Sequence, residues 1–137
     1  MPRYLEEFQT GEVFVSPGRT LTEADMVRFA GMIGDSVAPE PGASVAAALL
    51  FAISLGLLQA DSERHPEVIA FVSVDRLRVV APLFPGDTIT VRETIQSVNP
   101  INIASGLLET SQEVLNQSGD TVLRYAAKFL VRRRPVE

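Results

Sequence analysis

Two carboxylates stand five residues apart in the first third of the chain, Asp35 directly after Gly34 and Glu40 between Pro39 and Pro41. A carboxylate beside a reacting group can take up or deliver a proton, and one after a glycine at a helix end is also a common turn former. Asp35 admits both readings, and Glu40 reads either as an exposed loop carboxylate or as a base. Shortly afterwards Ala46, Ala47 and Ala48 open an apolar stretch. Small residues there let another element or a ligand approach the backbone closely, at the end of a helix where amide N–H groups lack intrahelical partners. The remaining polar candidates have structural roles. Ser44 reads as a helix cap, Ser54 as a hydroxyl bonded back to a carbonyl one turn earlier, and His65 as a surface residue. Arg76, Arg78 and Arg92 sit on strand-like segments, where they are solvated, salt-bridged or available to phosphates. The chain has no cysteine and only one histidine, which excludes disulfides, thiolate nucleophiles and multi-histidine metal sites.

The elements that must position these residues follow from periodicity. Glu12 to Thr20 is strand-like with a break at Pro17-Gly18. Thr22-Glu23-Ala24-Asp25 has the form of a helix cap, and Met26, Phe29, Ala30 and Ile33 then fall on one stripe, ending at Gly34 with Asp35. Prolines keep Ser36 to Gly42 out of a helix. A second helix runs from Val45 through Leu57, apolar around its circumference and therefore expected to be buried on every side. It is too short to span a bilayer, which takes about 20 apolar residues. Four strands follow, Val68 to Val80, Thr88 to Val98, Ala104 to Asn116 and Thr121 to Arg132. They are separated by turns at Pro85-Gly86-Asp87, Asn99-Pro100 and Ser118-Gly119-Asp120. Short turns imply antiparallel pairing, and an apolar helix with about five strands makes an α+β fold in which the sheet wraps the helix.

The chain is 137 residues long, which fits one domain covering residues 1–137. A hydrophobic fraction of 46% with 21% charged residues is that of a globular protein and argues against disorder. A net charge of −5 disfavours nucleic acid, and Arg132-Arg133-Arg134 reads as a solvated strand end. Acidic Glu6 and Glu7 stand where a secretory signal would be apolar, so a cytoplasmic location is expected.

Several short stretches carry a family resemblance. Tyr4-Leu5-Glu6-Glu7-Phe8 with Gly11-Glu12, Gly18 to Asp25, Phe29-Ala30-Gly31 and Gly34-Asp35 resemble the opening of MaoC-like dehydratases and (R)-specific enoyl-CoA hydratases. Arg76 to Pro82 and Pro85-Gly86-Asp87-Thr88-Ile89 resemble a later part of the same family. The resemblance implies a hotdog fold, an antiparallel sheet wrapped around a central helix. It also implies an acyl thioester of coenzyme A or acyl carrier protein as substrate, with no separate cofactor and no metal. In that family an aspartate and a histidine five residues beyond it act on water and on the α-carbon proton of the thioester. Asp35 matches the aspartate, Glu40 stands in the place of the histidine, and Val37-Ala38 replaces an Asn-Pro pair. Pro41-Gly42-Ala43-Ser44 then leads almost directly into the helix, so the catalytic loop is shortened. Ala46 and Ala47 align near the family's His-Gly pair, and Ala47 or Ala48 takes the position whose backbone amide polarises the thioester carbonyl. The resemblance thus implies a hydratase or dehydratase homologue with an incomplete dyad. Two alternatives stand beside it: a hotdog thioesterase using Asp35 or Glu40, and a non-catalytic subunit of a heteromeric dehydratase. In each case a homodimer or higher oligomer is expected, joined sheet to sheet, with no nucleic acid and no membrane span.

Overall fold

A computed structural model describes residues 2–34, 39–40, 42–61 and 63–136. After a single 3-10 turn at Leu5–Glu7 come strands β1 (Val13–Val15) and β2 (Arg19–Thr20), then helices α1 (Glu23–Met32) and α2 (Ala47–Gln59). The long strands β3 (Val68–Val79), β4 (Thr88–Pro100), β5 (Ser105–Leu115) and β6 (Thr121–Arg132) complete the chain. The six strands form one sheet in the order β1-β4-β5-β6-β3, with β2 also on β4. Every pairing is antiparallel. The split between β1 and β2 falls at Pro17-Gly18, as the sequence predicts.

Side chains alternate across a strand, and β4 shows why the sheet has an inside: Ile89, Val91, Glu93 and Ile95 are buried while Thr88, Thr90 and Thr94 are only partly covered. The pairing with β5 shifts register between Ile95 and Ser97, where the sequence alternation also slips. Helix α2 packs across β4 and β6. Leu49, Leu50 and Leu58 from the helix join Val91, Ile95, Leu123 and Tyr125 from the sheet in one core. The fold class is α+β, with a sheet curved around a helix.

Four local expectations need correction. Helix α2 is not buried on every side, because the sheet covers only one of its faces; Ala48, Ala52 and Gly56, four residues apart, form an exposed outer stripe. Ser44 does not cap α2. The amide of Val45 donates to the carbonyl of Leu83 at 2.7 Å, which keeps the chain extended until Ala46 becomes the N-cap. Asn99-Pro100 is not a turn but the end of β4. The reversal comes at Ile101–Ala104, where the Asn102 side chain accepts from the amides of Ala104 and Ser105. Pro100 pairs with Gly106 across that hairpin, and only glycine permits the approach, since a Cβ there would lie 2.6 Å from the Asn99 carbonyl oxygen. Finally, Ile33 lies past the last turn of α1, beside Gly34 at φ 80, and is exposed rather than on the apolar stripe.

Strand β3 differs from the others. It is the far edge of the sheet, and Val68, Ile69, Phe71, Val72, Val74, Leu77 and Val79 are all exposed. Its register against β6 is interrupted three times, and at the last interruption Arg76 takes a left-handed φ of 53. Among the described residues no helix is long and apolar enough to cross a membrane.

Candidate functional site

The N-terminal end of α2 carries the alanines singled out by the sequence. Ala46 is extended (φ −60, ψ 136) and gives no side-chain cap, and the first helical bond runs from the amide of Leu50 to the carbonyl of Ala46. The amides of Ala47, Ala48 and Leu49 therefore have no intrahelical acceptor, and no described residue accepts from them. A cleft of about 270 Å³ opens beside this end, walled by Ser44, Val45, Ala47, Leu50 and the Val79–Leu83 segment. Amides without an acceptor among the described residues, at the positive end of a helix whose Ala47 walls an apolar cleft, can hydrogen-bond the oxygen of a carbonyl that gains negative charge.

The carboxylates are placed differently. Glu40 is exposed and lines a separate cavity of about 60 Å³ between Pro39, Pro85 and the α1 residues Glu23, Met26 and Val27. It is not among the residues that wall the α2 cleft. Asp35 lies outside the described residues. Arg76, Arg78 and Arg92 are exposed on their strands, and none walls the α2 cleft. His65 is exposed beyond the opposite end of α2. Ser54 does bond back to a carbonyl, that of Phe51 at 2.7 Å, and also pairs with the Tyr125 hydroxyl at 2.6 Å. Burial, aided by the nearby Glu93 charge and opposed by the Ser54 hydrogen bond, pushes the Tyr125 hydroxyl up to about 12.

Around α1 the charges are structural. Thr22 caps the helix by accepting from the Asp25 amide, and the Asp25 carboxylate accepts in turn from the Thr22 amide at 2.9 Å. Both Asp25 oxygens also accept from Arg19, at 2.8 and 3.1 Å. That guanidinium, more than the Thr22 contacts, lowers the Asp25 carboxyl to about 2. Arg133 acts likewise on Glu6, tying the C-terminal strand end to the 3-10 turn and lowering Glu6 to about 2.

Sequence reasoning missed a second assembly near the C-terminal end of α2. Arg64 is 2% exposed and donates through Nε and Nη2 to both oxygens of Glu93, which is fully buried. The register sets Glu93, Gln112 and Tyr125 side by side on β4, β5 and β6. Gln112 donates to Glu93 at 2.7 Å and also to Thr110, and its own oxygen has no partner. Arg64 further walls a cleft of about 430 Å³ with Leu55, Leu58, Phe71 and Phe129. One signal was available: Glu93 occupies the buried phase of its strand, between Val91 and Ile95.

Protein MaoC of Klebsiella aerogenes is 38% identical over 103 residues, 67% of this chain. The match spans only 30% of that longer protein. Among solved structures, a monoamine oxidase regulatory protein of Archaeoglobus fulgidus superposes with a TM-score of 0.85 at 29% identity, over 98% of this chain and 97% of its own. A Mycobacterium tuberculosis protein described as a double hotdog fold matches with a TM-score of 0.79 at 19% identity, over 99% of this chain and 46% of its own. No protein-family model matches the chain.

Proposed function

From the premise that this chain is MaoC-like in sequence and hotdog in fold, we propose that it binds acyl thioesters at the N-terminal end of α2. In this reading the thioester carbonyl oxygen accepts from the amides of Ala47 and Ala48, and the acyl group lies in the apolar cleft beside Val45 and Leu50. The observation that carries it is the uncapped start of α2 facing that cleft. The carrier is coenzyme A or acyl carrier protein, and the setting is the cytoplasm. The associated chemistry is that of a hydratase or dehydratase, addition of water to a 2,3-enoyl thioester or its reverse, with Asp35 as the carboxylate that handles the proton.

A second reading makes the chain the binding half of a heteromer whose other subunit brings the complete aspartate and histidine. Its support is the position of Glu40, which stands in the histidine's place and lines a different cavity from the Ala47 cleft. Both readings include a second subunit along β3, because that edge is unpaired and apolar on both faces.

The test incubates the purified protein with crotonyl-CoA and longer enoyl-CoAs, following both loss of the conjugated double bond and release of free thiol. Binding is measured alongside for Ala47→Pro. Proline is tolerated at the first helical position and removes only the amide hydrogen. The expected result is binding about tenfold weaker in Ala47→Pro at unchanged Tm. Hydration abolished by Asp35→Ala supports the enzyme, and binding without turnover supports the non-catalytic subunit. Thiol release without hydration replaces both by a thioesterase. Wild-type affinity in Ala47→Pro removes the carbonyl site.

A further inference from the structure

The chain has one histidine, and within a single copy it lies far from the cleft proposed for the thioester. His65 is exposed just before β3, on a wall shared with Leu55 and Leu58 of α2 and with Val68. The thioester cleft is walled by Ala47 and Leu50 of α2 and by Val79 at the other end of β3. Both places are therefore on the face of the sheet that α2 covers. Along the strand they are about 35 Å apart, out of reach of one another.

A second copy on the free edge of β3 changes this. The two ends of the strand differ in charge: Glu63 and Glu67 precede it, the latter 3.9 Å from Arg132, whereas Asp75, Arg76 and Arg78 close it. Neither Arg76 nor Arg78 has an ion pair among the described residues. A copy laid parallel would set the arginines of both chains together, and a copy laid antiparallel brings the acidic approach of one strand to the basic end of the other. Antiparallel pairing of a strand with itself is also what a two-fold axis through the edge produces, each copy giving and receiving the same contacts. That axis stands across the sheet, so both α2 helices stay on one face. The start of the second β3 then lies one strand spacing, about 5 Å, from the end of the first, and a slip of one or two residues moves the meeting by no more than about 7 Å.

We infer that the thioester site is completed across a dimer of this chain by the partner's His65, which comes to the Val79–Leu83 wall of the cleft as an acid–base group. The inference rests on the acyl-thioester reading and adds to it a proton-handling residue that Glu40, in its separate cavity, does not supply. As the oxygen of water bonds to C3 of an enoyl thioester, the imidazole takes the water proton. The C2–C3 electron pair moves toward the carbonyl, whose oxygen the Ala47 and Ala48 amides hold. The imidazolium then returns the proton to C2 as the carbonyl reforms, so that H and OH are added in total.

The test uses the intact protein. His65→Ala, a change at an exposed position, is expected to lower crotonyl-CoA hydration at least about a hundredfold at unchanged acyl-CoA affinity and Tm. Ala47→Pro lowers hydration through the carbonyl site. Co-expressing the two variants is expected to regain about a quarter of the wild-type rate, because half the dimers are mixed and each mixed dimer holds one whole site. A histidine acting within its own chain would give no recovery. The chain has no native cysteine, so a short bismaleimide reads the geometry without turnover. It is expected to join His65→Cys to Val80→Cys in a mixed preparation and neither variant to itself. Undiminished hydration in His65→Ala, a mixture that stays inactive, self-linking of His65→Cys, or a wild type that binds thioesters without hydrating them overturns the inference. Wild-type affinity in Ala47→Pro removes instead the thioester reading beneath it.

Discussion

Arg64 and Glu93, 29 positions apart, form a two-point ion pair in the interior, with Nη2 2.9 Å from Oε2 and Nε on the other oxygen. Removing one partner of such a pair leaves an uncompensated buried charge. Glu93→Gln is therefore expected to cost about 3–5 kcal/mol in urea denaturation. The double change Arg64→Met with Glu93→Leu removes both charges and is expected to be markedly more stable than Glu93→Gln alone. Equal stability of the two variants would mean that the pair is not what holds this region.

Two glycines give opposite expectations for the same substitution. At Gly106 an added Cβ lies 2.6 Å from the Asn99 oxygen and 2.8 Å from Pro100 Cα, both backbone atoms that cannot swing aside. Gly106→Ala is expected to destabilise by about 1–3 kcal/mol. Gly31 lies within α1 with nothing near its would-be Cβ, and Gly31→Ala is expected to stabilise by about 0.5–1 kcal/mol. Thermal melts of the two variants give the signs directly.

Acid sensitivity follows from Glu6 and Asp25, whose carboxyls drop from 4.5 and 3.8 to about 2 in the folded chain. A lowered carboxylate contributes stability that is fully present above its unfolded value and is lost as pH falls through the folded one. Unfolding free energy should therefore decline between pH 4.5 and about 2. The decline should be shallower in Glu6→Gln and in Asp25→Asn. An unchanged slope in both variants would assign the acid response to other carboxylates.

Much of the architecture was legible from local chemistry. The limits of β6, the break at Pro17-Gly18 and the cap at Thr22 are encoded within a few residues of where they occur. What escaped depends on partners distant in sequence. Val68 to Val80 reads as a strand rich enough in valine for a core, yet it is the exposed edge, because edge position depends on strand order and not on composition. The bared outer stripe of α2 has the same origin. Arg64 sat in a segment that looked like an ordinary polar loop, and only Glu93 in the buried phase of β4 pointed to it. Of the carboxylates that opened the question of chemistry, Glu40 lines a cavity beside α1, and Asp35 lies outside the described residues.

The unclothed edge has a consequence for specificity of assembly. A strand with one covered face is locked in place, since sliding by a single residue would turn its greasy side outward. Strand β3 is exposed along nearly its whole length, so burial of one face locks a neighbour's register on it less firmly. Three interruptions along the strand, the last carrying the left-handed kink at Arg76, break this sameness, so they would act as the notches that tell one alignment from the next.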